Sequence, residues 1–112
     1  NPSEKSKVSR EEVFGPVVCV YPYEDLDAAI AAANAIPYHF QAAVFSKDLD
    51  TAMYCVQHLQ ASTVMVNDHT AFRVDWMPFG GWDASGEGVG GIGPTMRKMT
   101  REKLMVIKSA AF

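Results

Sequence analysis

Apolar positions along the chain fall into runs of two kinds, and the spacing within each run predicts its conformation. Val17-Val18-Cys19-Val20-Tyr21 is continuous and β-branched, the pattern of a strand covered on both faces. Asp25 follows as a helix N-cap, since a short acidic side chain accepts hydrogen bonds from the free N–H groups of a first turn. Leu26, Ala29, Ile30 and Ala33 then recur at helical spacing until Pro37, which forbids continuation. Ala42-Ala43-Val44-Phe45 predicts a second strand. Asp48 caps a second helix whose inward face is Leu49, Ala52, Met53, Val56 and Leu59, and Thr63-Val64-Met65-Val66-Asn67 predicts a third strand. The two helix starts nearly repeat, as Asp25-Leu26-Asp27-Ala28-Ala29 and Asp48-Leu49-Asp50-Thr51-Ala52. Each places acids where exposed N–H groups and the helix dipole favour negative charge. Alternation with such short loops predicts an α/β fold with right-handed crossovers and a three-layer, mainly parallel sheet.

From Asp68 to Pro94 the periodicity disappears. A loop of this length in a compact domain is usually functional or rests on something outside the chain. Thr95 to Met99 predicts a short helix, and Leu104-Met105-Val106-Ile107 a last strand flanked by Arg101, Lys103 and Lys108. Flanking cations are common at exposed sheet edges, so this strand is expected to add to another sheet. The polar start, Asn1 to Arg10, is expected to fray.

Composition narrows the class. A length of 112 residues reads as one small domain, and 48% hydrophobic with 21% charged residues argues against disorder. The apolar runs are too short for a transmembrane helix or a secretory signal peptide. Net charge is −3 but uneven: residues 1–10 carry +2 and residues 97–112 carry +4, leaving −9 on residues 11–96. An acidic body argues against nucleic-acid binding, which needs a basic face. Two cysteines are too few for a disulfide framework, and a reducing cytoplasm is the expected compartment.

Seven of the eight glycines lie between Gly80 and Gly93, and Gly86-Glu87-Gly88-Val89-Gly90-Gly91 spells G-x-G-x-x-G. The dinucleotide fingerprint needs a strand before it, a helix after it and an acid about 20 residues on. Here Pro78 to Ser85 precedes it, Pro94 closes it and no such acid follows. A chain-reversing loop in which backbones approach closely is the better reading. Cys19 and Cys55 lie in apolar surroundings without a nearby base and read as inert. His39, His58 and His69 lack ligand spacing for a metal, and Asp68-His69-Thr70 lacks a nucleophile and an oxyanion hole. Arg73 and Lys47 are the only cations between Glu11 and Met96, and Arg73 lies in the long loop among Phe72, Trp76 and Phe79. It reads either as a surface arginine stacked on a ring or as a bidentate anchor for an anionic ligand.

Several segments together resemble a family. They are Glu11-Glu12-Val13-Phe14-Gly15-Pro16-Val17, Val44-Phe45-Ser46-Lys47-Asp48-Leu49-Asp50 and Leu59-Gln60-Ala61-Ser62-Thr63-Val64-Met65-Val66-Asn67, followed by Pro78-Phe79-Gly80-Gly81 and Ser85-Gly86-Glu87-Gly88. In this order and spacing they resemble the C-terminal portion of an NAD(P)-dependent aldehyde dehydrogenase, over about Val8 to Ser109. The resemblance implies that residues 1–96 are part of the catalytic domain and 97–112 an oligomerisation segment, whose strand joins a sheet across a subunit boundary. It implies that Glu12 binds the nicotinamide ribose hydroxyls of NAD or NADP, with Phe14 packed beside the ribose and ring. Phe79 would line the aldehyde channel, with Arg73 and Trp76 in the loop that shapes specificity, as in members that take small aldehydes bearing a phosphate, phosphonate or sulfonate. The family's nucleophilic cysteine, general-base glutamate, oxyanion asparagine and Rossmann domain have no counterpart in these residues. The chain alone is therefore expected to bind no cofactor and to be inactive. It departs from the family pattern at Asp83, commonly Lys, at Val89-Gly90, commonly Arg-Glu, and at Ser62 and His39, commonly Gly. Two other readings are a non-catalytic module that oligomerises by strand addition and a stand-alone nucleotide-binding domain using Gly86 to Gly91.

Overall fold

A computed structural model describes residues 1–110. After a single 3-10 turn at Lys7–Ser9, the first regular element is helix α1, Leu26–Asn34. Its cap is the predicted one: the Asp25 carboxylate accepts from the N–H groups of Asp27 and Ala28, both at 3.3 Å. Strands β1, Tyr38–His39, and β2, Gln41–Val44, follow, then helix α2, Leu49–His58, and strand β3, Thr63–Val66. Asp48 caps α2 by accepting from the Thr51 N–H at 2.8 Å and from the Thr51 hydroxyl. The β2-α2-β3 unit is the predicted crossover: β2 and β3 run parallel, with Gln41 opposite Thr63 and Val44 opposite Val66. Strand β4, Trp82–Asp83, runs antiparallel to β1, setting Tyr38 opposite Asp83 and His39 opposite Trp82.

The sheet is smaller than predicted. Among the described residues it consists of two separate two-stranded pieces rather than one three-layer sheet. Val17–Tyr21 and Leu104–Ile107, both predicted as strands, belong to no ladder. A strand exists only as half of a hydrogen-bonded pair, and among the described residues neither segment finds its other half. The final helix, α3, covers Ile92–Met99 and so begins earlier than predicted. Pro94 sits in its first turn, where a missing N–H costs nothing because no intrahelical acceptor is available there. The helix also runs across the expected division between residues 96 and 97.

Two polar clamps join the helices. Asn34 donates through Nδ2 to the His58 carbonyl at 2.8 Å and accepts at Oδ1 from the Gln60 N–H at 2.9 Å. Tyr54 donates its hydroxyl to Asp27 Oδ1 at 2.7 Å, and this bond to a carboxylate raises the phenol above its ordinary pKa of 10.0. The core beneath them is small: Ile30, Ala52, Cys55 and Met65 are its buried apolar side chains, joined by His39. The inward face of α2 differs from the predicted one. Ala52 and Cys55 are buried where α2 packs on β2, whereas Leu49 is 71% and Met53 48% exposed. Helical periodicity marks which residues share a stripe, and the neighbour that would cover the other half of this stripe is not among the described residues.

Size makes the same point for the whole chain. The Cα radius of gyration is 20.4 Å, against about 13 Å for a compact domain of this length. The accessible surface is 9500 Å², roughly 3,400 Å² beyond what a compact monomer of this mass exposes. Much of the excess is apolar and runs through Val18, Val20, Phe45, Leu49 and Leu104 to Ile107. Exposed apolar surface of that extent is uncommon on a monomer that closes its own core. Among the described residues no helix is long and apolar enough to cross a membrane.

Candidate functional site

The long loop leaves β3 at Asn67, a residue in the left-handed region at φ 57°. Asparagine tolerates that conformation better than most residues, and here its side chain is used as well. Oδ1 accepts from the Ser46 N–H and Nδ2 donates to the Ser46 carbonyl, both at 2.9 Å. The ends of β2 and β3 are thereby tied together, and the direction in which the loop departs is set. Asp68-His69-Thr70 forms a tight turn in which the Asp68 carboxylate accepts from the His69 N–H at 2.8 Å and His69 Nδ1 from the Ala71 N–H at 3.1 Å. Its polar atoms serve the turn.

The loop returns at Phe79, whose backbone forms an isolated antiparallel bridge with Gly90: Phe79 N–H to Gly90 O is 3.2 Å and the reverse bond 2.6 Å. The glycines permit this closeness. A Cβ on Gly80 would stand 2.6 Å from the Gly88 carbonyl oxygen. Gly91, at φ 106°, begins α3, and a Cβ there would stand 2.9 Å from the Met77 oxygen. The glycine cluster is thus a chain reversal with close backbone approach, although it does lead into a helix instead of being closed by Pro94. Lys98 reaches back from α3 to donate to the Val89 carbonyl at 3.0 Å.

Three aromatic and cationic groups stack at the return. The Phe79 ring meets Phe40 edge-to-face, with centroids 5.0 Å apart and planes at 87°. The Arg73 guanidinium lies 4.3 Å from the Phe79 centroid and donates one long hydrogen bond, 3.4 Å, to the Met77 carbonyl. Among the described residues no carboxylate is within ion-pairing distance of Arg73. Its remaining N–H donors are uncommitted, because a guanidinium carries five and stacking uses only the flat face.

Beside this stack an open groove of about 700 Å³ is lined by Glu12, Phe40, Thr70, Phe79, Gly80 and Glu87, among others. Glu12 and Phe79, 67 positions apart, therefore line one groove, and Arg73 stacks on the latter. Phe14 and Trp76 are not part of that lining; both stand out from the surface, at 94% and 81% exposed. Cys19 and Cys55 are also absent from it. Cys19 lies 3.8 Å from the Val8 carbonyl and Cys55 is buried on α2. Among the described residues no group of three or more His, Cys, Asp or Glu could hold a metal ion.

Comparison with known proteins gives this arrangement its context. The profile of the aldehyde dehydrogenase family matches residues 1–105. The chain belongs to the aldehyde dehydrogenase family. It is 38% identical over 107 residues to the 3-sulfolactaldehyde dehydrogenase of Priestia aryabhattai, covering 96% of this chain and 22% of that protein. Aldehyde dehydrogenase 21 of Physcomitrella patens, solved with the reaction product succinate, superposes with a TM-score of 0.86 at 35% identity, over 96% of this chain and 22% of that one. The NADP-dependent glyceraldehyde-3-phosphate dehydrogenase of Bacillus halodurans C-125, solved with NADP, gives a TM-score of 0.85 at 39% identity, over 91% and 21%. The chain thus spans about a fifth of the length of the aldehyde dehydrogenases it matches.

Of the positions expected to depart from the family pattern, His39 and Asp83 meet directly and Ser62 contacts Phe40, the residue after His39. His39 is buried, with Nδ1 2.6 Å from Asp83 Oδ2 and Nε2 3.4 Å from the Asn34 carbonyl. This side-chain contact crosses the β1–β4 pair and holds Asp83 at φ 51°, an uncommon conformation for a non-glycine residue. Ser62 places its hydroxyl between the carbonyl oxygens of Phe40, at 2.6 Å, and Gly80. A hydroxyl has one proton, so it donates to one of the two at a time. Neither the His39–Asp83 pair nor the Phe40–Phe79 contact is apparent from spacing, because each joins residues about 40 positions apart.

Proposed function

We propose that this chain is the part of an NAD(P)-dependent aldehyde dehydrogenase that walls the aldehyde channel, contacts the nicotinamide ribose and selects aldehydes carrying an anionic group. The observation that carries the reading is Arg73: stacked on the channel phenylalanine, without a carboxylate partner among the described residues, and with most of its donors uncommitted. Such an edge suits the paired oxygens of a phosphate, sulfonate or carboxylate. The comparison supports this choice, since the proteins above are a sulfolactaldehyde dehydrogenase, a glyceraldehyde-3-phosphate dehydrogenase and an enzyme holding succinate.

The residues present fit the dinucleotide the family implies. Glu12 stands on the groove and engages no hydrogen-bond donor among the described residues, leaving both oxygens to accept from vicinal ribose hydroxyls. Phe14, two residues on and off the groove lining, offers an uncovered ring for packing. When bound, the dinucleotide supplies the hydride acceptor. Phe79 excludes water from one side of the channel and Arg73 orients the anionic end of the aldehyde, while Trp76, in the same loop but off the groove lining, is assigned to substrate contact. The attacking thiolate would come from outside these residues, because neither cysteine lines the groove. Residues 97–112 are assigned to oligomerisation: Leu104 to Ile107 stand exposed and unpaired among cations, as a strand awaiting an edge would. The last two residues of that segment lie outside the described residues.

The test uses the full-length protein that carries this chain. Arg73→Ala should raise KM for a phosphonate- or sulfonate-bearing aldehyde about 10- to 100-fold, the scale of a hydrogen-bonded charge. KM for a neutral aldehyde of similar size should stay within about twofold. Equal rises for both substrates would contradict the reading.

A further inference from the structure

We propose that Phe40 is a positioning residue for anion selectivity, setting the place of the Arg73 guanidinium through the Phe79 ring. The proposal rests on the reading of Arg73 as the anion anchor. Among the described residues Arg73 is held by one 3.4 Å hydrogen bond to the Met77 carbonyl and by the face of Phe79. The position of the cation therefore follows the orientation of that ring. The backbone of Phe79 is fixed by its two bonds to Gly90, but those bonds leave its side-chain torsions free. Among the described residues the aromatic contact that restricts the ring is Phe40, edge-to-face at 5.0 Å, an arrangement favoured because the ring edge is positive and its face negative.

The backbone around Phe40 is itself braced from two sides. His39, the preceding residue, is pinned to Asp83 at 2.6 Å, and the Ser62 hydroxyl lies between the Phe40 carbonyl and the Gly80 carbonyl just beyond Phe79, donating to one of them at a time. Phe40 is thus held by the sheet pieces on either side of it, β1 and β2, whereas Phe79 and Arg73 belong to the loop. The place of the charge thus follows the Phe79 ring, and the Phe79 ring follows its contact with Phe40. Selectivity for an anionic group then depends on a residue that does not carry the charge, while the reaction steps common to all aldehydes do not.

In the full-length protein, Phe40→Ala should raise KM for an anionic aldehyde about 3- to 10-fold, the scale of one aromatic pair. Because Phe40 also lines the groove, the readout is the ratio of the two KM values: KM for a neutral aldehyde of similar size should rise by a clearly smaller factor than KM for the anionic one. Phe40→Tyr, which keeps the ring, should restore the anionic KM, and Phe40→Leu, which fills most of the volume without a ring quadrupole, should not. Phe40→Ala combined with Arg73→Ala should be no worse for the anionic substrate than Arg73→Ala alone, because both changes act through one guanidinium. If Arg73→Ala discriminates the two substrates but the Phe40 variants leave the anionic KM unchanged, the positioning role is overturned and the Arg73 reading stands. If the Phe40 variants raise both KM values alike, or their effect adds fully to that of Arg73→Ala, Phe40 is a general packing residue and the proposal fails. Should Phe40→Ala not fold, the comparison of Phe40→Leu with Phe40→Tyr decides in the same way. If Arg73→Ala itself does not discriminate, the anion reading fails and the proposal with it.

Discussion

Stacking occupies the flat face of a guanidinium and leaves its rim of donors for something else, and Arg73 is in that position. A carboxylate neighbour would use the rim and make the residue structural, but none pairs with it among the described residues. Glu12 poses the complementary case: an acceptor lining the groove with no donor attached among the described residues. In the full-length protein, Glu12→Ala should raise KM for the dinucleotide about 10-fold or more, since hydrogen bonds to a charged group are among the stronger ones. KM for the aldehyde should move little, and initial-rate measurements with each substrate varied in turn would show the split. At this scale the sequence was informative about chemistry and silent about proximity. Arg73 stands out as one of two cations in a long acidic stretch, yet nothing in its spacing says that Phe79 would lie beneath it or Phe40 beneath Phe79.

Helix α2 shows what one residue does for an element. The Thr51 hydroxyl and then the Thr51 N–H hold the Asp48 carboxyl below its ordinary 3.8. A folded-state value lower than the unfolded one means that the cap's contribution is full above about pH 3.8 and is lost as pH falls through the lowered value. Asp48→Ala should therefore speed amide exchange at Thr51 severalfold at neutral pH. The difference from the unmodified protein should vanish in acid below the ordinary carboxylate range. Both caps, the stop before Pro37 and the β2-α2-β3 crossover were legible because their causes are local: a side chain two or three residues from its N–H, a ring that blocks a turn, an alternation of periods. Val17–Tyr21 and Leu104–Ile107 were not, because a strand is decided by its partner. The face of α2 fell between these cases, with Ala52 and Cys55 covered and Leu49 and Met53 left for a neighbour that these residues do not include.

At the scale of the molecule the surface dominates. An area of 9500 Å² over so small a core is well beyond what a compact domain of this mass exposes. The charge of the chain is divided, with an acidic body and a basic terminal segment whose apolar strand residues have no ladder. The match to about a fifth of each aldehyde dehydrogenase compared fits that division. On this account the chain carries a channel wall, a ribose contact and an anion anchor, and the thiolate chemistry lies elsewhere. The most direct measurement is aldehyde-dependent NAD(P)H formation by the purified 112-residue chain, assayed with an anionic aldehyde and either dinucleotide beside the full-length protein. The account predicts turnover by the full-length protein and none by the chain alone; steady NAD(P)H formation by the isolated chain would contradict it.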